Sequence, residues 1–235
     1  MISEKKFIEI YNSFWNELLP NGDRVLRMIN LNSSRYTLPI DTISDSGERG
    51  LVNEMGFRLF VEWARIGINQ QLPIDSISRV KKNSIQYISR FREDLLNKKI
   101  KISKNGLEET RSLAKNLKIF VNTKNINRIK FNPKFIGCGF LNDCEGDIVI
   151  DNTLIEVKSG DRQFRLNDIR QLLVYCALNY IKQLYSIDSI TLLNPRRGTY
   201  FNINIDTLCR EMSGIGCYQV FYEIVEFTSQ TQTSS

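Results

Sequence analysis

The stretch EGDIVIDNTLIEVKSG, Glu145 to Gly160, sets Asp147, Glu156 and Lys158 among Ile, Val and Leu. Apolar β-branched runs on either side of Asp151-Asn152 read as two strands joined by a two-residue turn, a pair that tolerates the positive φ angles such turns need. Counting back from that turn, Ile150 faces Thr153, Val149 faces Leu154, Ile148 faces Ile155 and Asp147 faces Glu156. Opposed residues hold their Cβ atoms about 4.5–5.5 Å apart on one face, so the two carboxylates converge, and Lys158 shares that face. Ile148, Ile150, Ile155 and Val157 occupy the other. Two carboxylates at this spacing repel one another, and a divalent cation relieves the repulsion; magnesium prefers oxygen ligands and keeps several waters. A lysine beside such an ion can orient a nucleophilic water or offset charge developing on a phosphate.

The rest of the chain narrows the chemistry. Histidine is absent, which excludes Ser-His-Asp and Cys-His catalysis and histidine-ligated zinc. No GxxxxGK[ST] segment occurs, so the chain carries no P-loop motor. Lysine and arginine exceed the acids by 32 to 26, a net charge of +6 that leans toward a polyanionic partner. Between Arg111 and Asn142 there is no acid at all, and Lys124, Arg128, Lys130 and Lys134 are candidate phosphate contacts, the alternative being a solvated face. The five cysteines form no CxxC pair, which predicts reduced thiols. The N-terminal stretch lacks an uninterrupted apolar segment, so a cytoplasmic protein with no membrane partner is expected.

Periodicity predicts a helical first half. Apolar residues recur at helical spacing over 4–19, 47–66, 76–98 and 105–118, while 23–47 reads as irregular. From about residue 131 short β-rich runs take over: KFIGCGF, GDIVID, TLIEVKS, SITLLN, TYFNINI and YQVFYEIVEF. One amphipathic helix interrupts them, between Arg165 and Leu184. The expected class is α/β with a mixed central sheet, organised as an N-terminal helix and irregular segment (1–46), a helical region (47–130), a core (131–226) and a polar tail (227–235).

Asp147, eight intervening residues and then Glu156-Val157-Lys158 resemble the signature of the PD-(D/E)XK nuclease superfamily. Gln171 and Tyr175, one helical turn apart, are similar to the Q-x3-Y motif of its RecB-like and CRISPR-associated exonuclease branch. The resemblance implies a restriction-endonuclease-like αβββαβ core and hydrolysis of phosphodiester bonds of DNA. It implies Mg2+ or Mn2+ held by Asp147, Glu156 and the Val157 carbonyl, with Lys158, Gln171 and Tyr175 in the catalytic set. An acid from an earlier helix often joins the metal in that superfamily; Glu54 is the first choice here and Glu48 the second. Gly146 stands where the motif has proline. Cys209 and Cys217 do not supply the cysteine trio of the iron-sulfur members, so no such cluster is expected. Arg170 beside Gln171, and Arg196 and Arg197 on the turn between the last two short strands, complete the candidate nucleic-acid contacts. A helicase or ATPase on another chain is a candidate partner. The alternative function is a catalytically silent nucleic-acid-binding or scaffolding subunit of a larger complex.

Overall fold

Strand-forming runs in the second half build the centre of the computed structural model, which describes residues 1–67, 70–89 and 102–230. In chain order the elements are α1 (Glu4–Ile10), α2 (Asn12–Leu18), α3 (Gly22–Leu31), β1 (Ser34–Arg35), α4 (Arg49–Ile66), α5 (Ser76–Ile88), α6 (Lys104–Asn122), β2 (Ile129–Phe131), β3 (Lys134–Phe135), β4 (Cys144–Glu145), β5 (Ile148–Ile150), β6 (Thr153–Val157), α7 (Leu166–Lys182), β7 (Ser189–Asn194), β8 (Thr199–Asn204), α8 (Ile205–Ser213) and α9 (Cys217–Gln230). Among the described residues six strands form a mixed sheet in the order β1-β8-β7-β6-β5-β2, in which only β6 and β7 run parallel, joined through α7. β3 and β4 pair separately.

The pleat decides what each sheet face buries. Val149, Leu154, Ile190 and Leu192 pack with α7, α8, α9 and the N-terminal helices. Ile148, Ile150, Ile155 and Leu193 pack with α4, α5 and α6. Helices therefore cover both faces of the sheet, the arrangement expected when a parallel crossover is present. Among the described residues no helix is long and apolar enough to cross a membrane.

Several expectations are corrected. The helix over 4–19 is broken at Tyr11 (φ −99°, ψ 49°), where the turn gathers Phe7, Tyr11 and Phe14 around Phe140 and Phe227. The segment read as irregular contains α3, whose buried Val25 and Ile29 lie one helical turn apart. The run KFIGCGF is a strand only at Lys134–Phe135. YQVFYEIVEF, rich in strand formers, is helix α9. Its buried residues are Cys217, Val220, Phe221, Ile224 and Thr228, a 3.6-residue spacing that packs on the α7 side of the sheet. The polar tail is shorter than expected, because Thr228 is fully buried and its carbonyl accepts from Phe140 N. Gly139, at φ +58°, permits that approach: a Cβ there would lie 2.1 Å from the Thr228 carbonyl oxygen. The helix expected over 76–98 is seen as α5 to Ile88; residues 90–98 of it, and tail residues 231–235, lie outside the described residues.

Candidate active site

The hairpin that the spacing predicts has the predicted register. Ile148 pairs with Ile155, Val149 with Leu154 and Ile150 with Thr153, and Asp151 takes the positive φ of the turn at +48°. Its carboxylate accepts from Arg128 N at 2.9 Å, pinning the turn to the start of β2. At the other end Asp147 comes opposite Glu156, and Val157 N–H donates to Asp147 Oδ2 at 2.7 Å. The backbone of the E-V-K strand thus orients the first carboxylate directly.

Lys158 is held on three sides. Its Nζ donates to Glu156 Oε1 and to Gln171 Oε1, each at 2.7 Å, and lies 3.7 Å from Asp168 Oδ1. Gln171 is turned by its own amide, which donates to Tyr175 OH at 2.7 Å. The buried Tyr175 ring stacks on Phe135 at 5.1 Å, nearly parallel. The structure therefore brings Asp147, Glu156, Lys158, Gln171 and Tyr175 together.

It also adds residues that sequence reasoning missed. Asp168, in the first turn of α7, receives a forked pair of hydrogen bonds from Arg162 at 2.7 and 2.8 Å and one from Arg165 N at 2.8 Å. A signal was present, since Asp168 lies three residues before Gln171 and so shares its helix face. Glu4 of α1 accepts from Gln171 Nε2 at 3.4 Å, and Lys5 beside it adds positive field at Glu54 and Glu156. No pattern near the hairpin points to α1.

The electrostatics are those of a site short of positive charge. Burial and the neighbouring Glu156 raise the Asp147 carboxyl far above the ordinary range, with Lys158 only partly offsetting them. Burial likewise raises Glu156 against the pull of Lys158. For Lys158 burial alone would lower the pKa, but Glu156 and Asp168 outweigh it and the ammonium is stabilised. Asp168 is lowered, because Arg162 and Lys158 overcome its burial. One carboxylate oxygen, Glu156 Oε2, is buried with no hydrogen-bond partner among the described residues, an arrangement that costs free energy unless something else binds there.

A raised carboxyl pKa means that the native state holds the proton more tightly, so its stability contribution is complete at low pH and is lost as pH rises. Asp147→Asn keeps the acceptor for Val157 N–H and removes the charge. In EDTA it should raise Tm at pH 8 by about 2–4 °C, roughly 1 kcal/mol, with the gain shrinking toward pH 4. Thermal melts across that range check the sign.

The remaining expected contacts separate. Glu54 lines a cleft of about 400 Å3 together with Asp147, but it is paired with Arg58 at 2.5 Å. Glu48 is bonded to Ser103 and serves the start of α6. Among the described residues no three His, Cys, Asp or Glu side chains gather into a metal-binding group, so any ion would rest on Asp147 and Glu156 with backbone and water. Arg170 is buried on Asn12 and Asn16 and lies over the Trp15 ring, which withdraws it from solvent. Arg196 is likewise buried, in an ion pair with Glu109 at 2.9 Å, and its Nε donates to Ser159 O at 2.8 Å. Arg197 is half-buried and donates to Asp161 O at 3.0 Å. This turn grips the loop after Lys158 instead of presenting two free guanidiniums. Lys124, Arg128, Lys130 and Lys134 are exposed, but they are spread out. Arg128 sits at the Asp151 turn, four residues and so about 13 Å along the strand from Asp147. Lys134 stands opposite Glu145, two residues before Asp147.

Comparison with family models, curated proteins and solved structures gives no match. The functional reading therefore rests on the geometry of the site and on the motif resemblance. The two carboxylates and the orphaned Glu156 oxygen form a donor set of hard oxygens, which suits Mg2+ or Mn2+.

Proposed function

We propose that this chain is a metal-dependent nuclease that hydrolyses phosphodiester bonds of DNA on a restriction-endonuclease-like core. The observation that carries the reading is the unpartnered, buried Glu156 Oε2 in a pair with Asp147 on one side and Lys158 on the other. An antiparallel β2-β5-β6 run followed by α7 and a parallel β7 supports the fold assignment.

Asp147, Glu156 and the Val157 carbonyl would hold Mg2+ or Mn2+, which when bound supplies Lewis acidity and a more acidic water. Every other part of the chemistry falls to the chain. Val157 N–H fixes the Asp147 carboxylate. Glu156, Gln171 and Asp168 hold the Lys158 ammonium in place, where its charge orients the attacking water and offsets the phosphate charge that builds as the bond breaks. Tyr175, with its hydroxyl pKa raised by burial and by Glu156, remains protonated and keeps Gln171 aimed at Lys158.

The reading is tested by incubating linear, circular and single-stranded DNA with the protein in Mg2+, Mn2+ or EDTA. Cutting that needs the metal and is lost in Glu156→Gln is the expected result. Calorimetry with Mn2+ should show binding that is lost in Asp147→Asn. Absence of both cutting and metal binding would overturn the proposal in favour of a silent binding subunit.

A further inference from the structure

We propose that the cleft between α4 and α5 receives one nucleotide of a single-stranded nucleic acid, held beside the bond to be cut; the inference rests on the nuclease reading of the acidic pair. Position is the first argument. Asp147 itself lines the cleft, so whatever fills it lies against one member of the acidic pair.

Size is the second. About 400 Å3 is the scale of a small-molecule pocket and suits a single nucleotide, whereas a base still paired in a duplex must first be unpaired to enter. A single strand enters without that cost.

The lining supplies the third. Phe57 and Tyr87 give the wall aromatic surface, and the Arg58 guanidinium lies 4.7 Å from the Tyr87 ring centroid. Arg58 is committed to Glu54, and Arg79 to Glu62 and Asp75, which neutralises most of the local charge. Arg65 is different: it is exposed and, among the described residues, has no acid partner, which leaves it to meet a phosphate. Asn83 presents an amide that can both donate to and accept from a base edge. Proteins that hold single strands combine base stacking on aromatic side chains with positive charge placed to meet the backbone, and Phe57, Tyr87 and Arg65 supply both on a small scale.

The experiment measures fluorescence anisotropy of short fluorescein-labelled oligonucleotides with Glu156→Gln protein in EDTA. The probes are single-stranded DNA, single-stranded RNA and the corresponding DNA duplex. Wild-type cleavage of the same oligonucleotides in Mg2+ and Mn2+ runs alongside. At least one single strand should bind about tenfold more tightly than the duplex. Tyr87→Ala and Arg65→Ala should each weaken that binding severalfold, Tyr87→Phe should restore it, and Tyr180→Ala on the opposite helical layer should leave it unchanged. Equal affinity for duplex and single strands, or no loss in Tyr87→Ala and Arg65→Ala, overturns the inference. If the wild type cuts only duplexes, the nuclease reading stands and the cleft assignment falls. If single strands bind through Tyr87 and Arg65 but no probe is ever cut, the cleft assignment stands and the nuclease reading falls.

Discussion

On the proposed nuclease function, Lys158→Met should lower the rate of DNA cleavage by about 10^2–10^3-fold, the usual effect of deleting one preorganised charge from a reacting centre. The structure sharpens what else the substitution does. The Lys158 ammonium lies between Glu156 and Asp168, both almost fully buried; its removal leaves Glu156 without a cation, while Asp168 keeps Arg162. Breaking such a buried arrangement costs on the order of 3 kcal/mol, and the protein should melt lower than wild type at pH 8. Acid separates the two effects. Without the lysine the native Asp147 and Glu156 carboxyls bind protons still more tightly than the unfolded ones, so the stability deficit should shrink as pH falls toward 5. Cutting should not return at any pH, because a protonated carboxyl does not replace the missing positive charge. Paired melting and cleavage series across pH 5–8 read both outcomes. Recovery of cutting along with stability would show that Lys158 acts only by holding the fold.

Glu109→Ala carries the largest expected loss of stability. Glu109 accepts from the backbone and hydroxyl of Ser44 and from Arg196, and almost none of either ion-pair partner is exposed. Removing the acid leaves Arg196 charged and buried, a cost of about 3–5 kcal/mol, or a Tm drop on the order of 10 °C for a chain of this size. The double variant Glu109→Leu, Arg196→Met should recover most of that, since an apolar pair fills the space without a desolvated charge. Circular-dichroism melts of the three proteins decide it. Because Arg196 also holds Ser159 O, the single variant should lose cutting activity as well, through the loop that follows Lys158.

What was legible in the sequence is what depends on neighbours in the sequence. The hairpin register followed from a two-residue turn and a period of two, and the Gln171–Tyr175 contact from a helical turn; both are local relations that tertiary packing had no reason to change. The arginines fared differently. Arg170 and Arg196 read as nucleic-acid contacts by position, one beside Gln171 and one on a turn, yet their partners are Asn12 and Asn16 in one case and Glu109 and Asn53 in the other. These pairings span 87 to 158 positions and leave no mark on local composition. Helix α9 was misread for another reason: Val, Tyr, Phe and Ile favour strands, but the 3.6-residue spacing of its buried positions, combined with a helix to pack on, outweighs that preference.

The aromatic contacts at Phe227 have a consequence for when the site can form. Phe227 of α9 meets Phe7, Tyr11 and Phe14, and α1 in turn brings Glu4 to Gln171. The first and last helices of the described chain therefore pack on each other across nearly its whole length. Contacts of such long sequence separation slow folding, so the packing that brings Glu4 to Gln171 should form later than the acidic hairpin, whose own pairing is local.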